Sequence, residues 1–112
     1  MGLEQVLTTR AETRTLMTAV NLGVVKYYAD LKEAMWDVYD ILRVMYLFSL
    51  EIQRGTKPVI GIANVMTFET ALTQLETLEQ FERFRRENPS AVQILERAYD
   101  AVRDYVLSPS IP

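Results

Sequence analysis

Side chains able to bind a metal ion or carry charge to a ligand fall in a few clusters along this 112-residue chain. Glu76, Glu79 and Glu82 form an acidic row, and Glu96 and Asp100 lie one helical turn apart further on. Carboxylates drawn from two facing helices can hold a magnesium ion that keeps several of its waters. Asp30, Glu33, Asp37 and Asp40, spaced by three, four and three, line one face of another helix. One stripe cannot enclose an ion, so these acids read as a solvated face that favours the positive end of the helix dipole. Arg83, Arg85 and Arg86, with Arg97 and Arg103 beyond them, are the basic concentration of the chain and the residues that would track phosphates in a nucleic-acid-associated subunit.

The residues that are missing narrow the chemistry further. There is no cysteine and no histidine, which removes disulfides, thiolate ligands and nucleophiles, the usual general base near neutral pH and the ordinary catalytic triads. The net charge of -3 lacks the basic excess usual in nucleic-acid binders. Glu79 precedes Arg83 by four residues and Glu82 precedes Arg86 by four, the orientation that best supports an exposed helix, so the arginines read first as an ion-paired surface. Gly55-Thr56-Lys57 lacks the spacing of a phosphate loop and reads as a connection.

Glu76-Thr77-Leu78-Glu79 resembles the Glu-x-x-Glu helix of the all-α nucleotide pyrophosphohydrolases of the MazG type, in which it faces a Glu-x-x-Asp helix around magnesium. Glu96 to Asp100 contains one residue more than the second motif of that family. The resemblance covers these positions only. It implies a magnesium-dependent nucleotide hydrolase with Glu76, Glu79, Glu96 and Asp100 as ligands.

The elements that position these groups are helices. Apolar residues at spacings of three and four predict an all-α, four-helix bundle-like single domain, mainly antiparallel, with helices over about residues 3–22, 30–54, 67–87 and 89–107. The composition, 49% hydrophobic and 24% charged, is that of one globular domain. Thr9 and Glu12 offer a capping box within the first helix, and Gly23 either ends it or is passed through on the way to the next. Asp30 starts the long central helix, and Gly55 and Pro58 close it. Residues 55–66 are expected to form a buried apolar connecting loop containing Val59, Ile60, Ile62 and Val65. Asn88-Pro89 separates the last two helices.

The central helix has two different halves. Leu31, Ala34, Met35, Val38 and Leu42 make one buried stripe, but after Ile41 the apolar residues point in every direction. Three companion helices cover only part of such a segment, which leaves Val44, Tyr46, Leu47 and Phe48 as the expected contact surface for a second copy or another protein. The densest apolar run, Ile41 to Leu50, is too short and too charged to span a bilayer, and the chain start MGLEQVLTTR has no apolar core of a secretory leader. The expected protein is therefore a cytoplasmic, non-catalytic structural or adaptor subunit, a homodimer without a cofactor. A nucleic-acid-associated subunit and a magnesium-dependent nucleotide hydrolase stand as the alternatives.

Overall fold

The computed structural model of the chain describes residues 10–18 and 36–108, and every regular element among them is helical. Helix α1 is the stretch at residues 10–18. It is followed by α2 (Trp36–Gln53), α3 (Ile62–Thr77), α4 (Glu82–Glu87) and α5 (Pro89–Leu107), with a 3-10 turn at Glu79–Phe81 between α3 and α4. The fold is all-α and bundle-like: α2, α3 and α5 each pack against the other two, and Leu16 of α1 is wholly buried in the same core. The expected features at Thr9, Gly23, Asp30 and Glu33 lie outside the described residues.

The end of α2 follows the sequence. Gly55 adopts a left-handed φ of 86° and donates its N–H to the Ile52 carbonyl, while Thr56 N–H reaches the Glu51 carbonyl at 3.1 Å. These bonds satisfy carbonyls that the last helical turn leaves open. At Asn88-Pro89 the division of labour differs from a simple cap. Pro89 opens α5, but the Asn88 side chain turns backwards and donates to the Phe84 carbonyl at the end of α4.

Two expectations about the middle of the chain are corrected. The connection after α2 is shorter than residues 55–66 and is not a buried apolar loop: α3 already begins at Ile62, Val59 is fully exposed, and Ile62 and Met66 are exposed as well. Val65 is buried because it lies in the first turns of α3, whose start is held by the Gly61 N–H donating to Asn64 Oδ1 at 2.9 Å. The loop is tied down by a polar contact, the Tyr105 hydroxyl donating to the Pro58 carbonyl at 2.8 Å.

The second correction concerns the helix expected over 67–87, which breaks at Leu78, where φ is -74° and ψ is 138°. Leu75, Leu78, Phe81 and Phe84 are separated by steps of three. On a helix of 3.6 residues per turn each such step drifts by about 60°, so a straight helix would carry Phe84 about 180° away from Leu75. Both phenylalanines are nevertheless buried, with ring centroids 5.4 Å from that of Tyr39 on α2. The break is what brings them round. It is stabilised by Arg85, whose Nη1 donates to the carbonyls of Leu75 and Leu78, each at 2.7 Å.

Candidate functional site

Helix α2 resolves its all-round apolar half by direction. Val38, Leu42, Met45 and Ser49 form one inward row, and Tyr39, Tyr46 and Leu50 another beside it, all buried. The opposite side carries Asp40, Arg43, Val44, Leu47 and Arg54, all exposed, flanked by the half-buried Phe48 and Glu51. Val44 and Leu47 keep 44% and 46% of their surface exposed. Together with Phe48, Leu50, Glu51 and Arg54 they line a shallow, mainly apolar depression.

Tyr46 belongs elsewhere. Only 2% of it is exposed, and its hydroxyl shares a hydrogen bond of 2.9 Å with Thr13 Oγ1 on α1. Burial pushes its phenol above the ordinary range, and the Thr13 bond offsets part of that. Its expected place on the contact surface is corrected for a physical reason: a phenol with a polar partner overhead can be buried at little cost. Val44 and Leu47, on the far side of the helix, stay open to solvent.

Charged side chains bracket the exposed pair. Arg43 Nη2 lies 2.7 Å from Asp40 Oδ1, and Arg54 Nη1 lies 3.2 Å from Glu51 Oε1. Sequence reasoning missed these flanking pairs, although the acid-then-base spacing on either side of Leu47 is visible there.

The arginine cluster is dispersed among carboxylates and carbonyls. Arg85 caps the end of α3, Arg83 Nε lies 3.7 Å from Glu87, and Arg86 lies 3.9 Å from Glu82. Arg97 reaches across to Glu12 on α1 at 2.8 Å, and Arg103 pairs with Asp100 at 3.4 Å while lying over the Tyr99 ring. Arg83, Arg85 and Arg86 do not present a common face, because Arg85 is turned into the fold.

Of the carboxylates, Glu76 on α3 and Glu96 on α5 do come together. The Glu76 carboxyl is raised above its ordinary value by partial desolvation first, then by the neighbouring Glu96 carboxylate. Glu79 sits in the 3-10 turn beyond the break, and Asp100 is engaged with Arg103. Among the described residues no group of three or more acidic side chains is placed to hold a metal ion. None of the helices among those residues is long and apolar enough to cross a membrane.

Compared with protein-family models, with curated proteins and with solved structures, the chain matches none.

Proposed function

We propose that this protein is a non-catalytic structural or adaptor subunit that works through self-association, with the outer face of α2 as its contact surface. The observation that carries this reading is the exposure of Val44 and Leu47 at 44% and 46% on a helix whose other face already lies in the core. Neither residue belongs to the core formed by the described residues. Covering them with a second copy removes apolar surface from water at about 25 cal/mol per Å². The two-fold dimer is the commonest soluble assembly and asks for one self-complementary patch only. Because association itself costs at least several kcal/mol, a patch of this size supports a weak, reversible dimer.

Sedimentation equilibrium over about 1 to 500 µM, the range for weak interfaces, tests the reading. The wild type is expected to shift from monomer to dimer across that range. Leu47→Glu is expected to remain monomeric with an unfolding midpoint unchanged at low concentration, since an exposed position tolerates the charge. A wild type that stays monomeric throughout overturns the proposal.

A further inference from the structure

The charges around Leu47 have a symmetry that a lone helix does not need. Asp40 stands seven residues before Leu47 and Arg54 seven after it; Arg43 stands four before and Glu51 four after. Each position on one side of Leu47 is thus matched on the other side by the opposite sign. Val44, three before, adds an exposed apolar side chain to the stripe, whereas Leu50, three after, is turned into the core. At 3.6 residues per turn all these positions fall within about 60° of the Leu47 direction, on a stripe about 21 Å long. Helical hydrogen bonding continues to its end, since Arg54 N–H donates to the Leu50 carbonyl at 3.0 Å.

From this we infer that two copies of the chain pair through antiparallel α2 helices, with the two-fold axis passing through Leu47. The inference rests on the self-association proposed above and adds its orientation and register. In that register Leu47 meets the partner's Leu47, with the exposed Val44 of each helix beside that contact. Asp40 meets the partner's Arg54, and Arg43 meets the partner's Glu51. Each end of the interface then holds two acids and two bases, a neutral network around an apolar centre. Both intrahelical ion pairs can persist within it, at 2.7 Å and 3.2 Å.

Competing arrangements are penalised by the same residues. Parallel pairing in register sets Asp40 against Asp40 and Arg54 against Arg54, like charges face to face. An antiparallel pairing slipped by one heptad sets Asp40 against Leu47 and strips water from a carboxylate without providing a partner. Charge order therefore selects one geometry from those that the apolar patch alone would allow.

Charge reversal tests the register in a way that separates it from the helix's own ion pairs. Asp40→Arg and Arg54→Asp, made singly, each place two like-charge contacts in the symmetric dimer and are expected to raise its Kd about tenfold. The double variant Asp40→Arg/Arg54→Asp restores both intermolecular pairs and is expected to return to within about threefold of the wild type. Within one helix the double variant is the least favourable of all, since the introduced guanidinium would neighbour Arg43 and the introduced carboxylate would neighbour Glu51. Sedimentation equilibrium gives the Kd values, and urea unfolding at low concentration verifies that each monomer is folded. Rescue by the double variant supports the register. A double variant no better than the weaker single, in a chain whose wild type dimerises, overturns the register and leaves self-association standing. A monomeric wild type overturns both.

Discussion

Thr13 and Tyr46, 33 residues apart in the chain, share a hydroxyl–hydroxyl hydrogen bond of 2.9 Å that fastens α1 over α2. With Leu16 wholly buried and Glu12 paired to Arg97 at 2.8 Å, it makes α1 part of the bundle and fixes which side of α2 is inside. Tyr46→Phe is therefore expected to lower stability by about 1 kcal/mol, the worth of one hydrogen bond, with no change in self-association. Urea unfolding gives the first quantity and sedimentation the second. A changed dimer Kd with unchanged stability would return Tyr46 to the contact surface.

Arg85 should matter more than its neighbours. Its two bonds to the Leu75 and Leu78 carbonyls are charge-assisted and lie at the break that ends α3, where the Leu78 carbonyl also accepts the Phe81 N–H at 3.1 Å. Arg85→Met is expected to cost about 2 kcal/mol. Arg86→Met removes a surface pair of 3.9 Å and is expected to change stability by less than about 0.5 kcal/mol. Equal effects of the two substitutions in denaturant titrations would contradict the capping role.

Gly55 is required by its backbone, since nothing lies within 4 Å of where a Cβ would be built. Gly55→Ala forces an L side chain to hold φ at 86° and is expected to destabilise by about 1 kcal/mol. The natural counterpart at Gly61, which has no left-handed φ and equally open space, should tolerate alanine. Thermal melts of the two variants side by side make the comparison.

Glu76 gives a pH dependence of predictable sign. Its folded-state carboxyl is raised, so between the ordinary and the raised value the folded chain binds more protons than the unfolded one. Stability contributed through this group falls as pH rises through that window. Glu76→Gln removes the repulsion with Glu96 and should be more stable than the wild type at pH 7, with the difference shrinking as pH falls toward the carboxylate range. Melting temperatures of both proteins at about pH 4 to 7 decide the matter; a difference independent of pH would mean that the two carboxyls do not meet.

Much of the local structure was legible in the sequence. The stop at Gly55, the division at Asn88-Pro89 and the helical character of every described element follow from turn chemistry and apolar spacing. The exposure of Val44 and Leu47 follows from counting how many sides of a helix a small bundle can cover. The break at Leu78 was also encoded, in three successive steps of three, but the spacing pattern read as one helix because each step alone is helical. On α5 the buried residues are Ala91, Ile94, Leu95, Ala98 and Val102, whereas the apolar Val92, Tyr99 and Val106 are only half-buried, a choice that spacing alone does not make. Small side chains mark close helix approach only when the neighbour is known.

The sequence by itself determined the helical character of the described elements, the stop at Gly55, the division at Asn88-Pro89 and the excess of apolar surface on α2, because periodicity, turn chemistry and composition act within a few residues of each other. Only the tertiary structure decided which way each ambiguous side chain turned. A helix apolar on all sides has no inside of its own. Thr13 above Tyr46 made one side the interior, the Leu75 and Leu78 carbonyls drew Arg85 inward, and the packing of α3 and α5 turned Val44 and Leu47 outward.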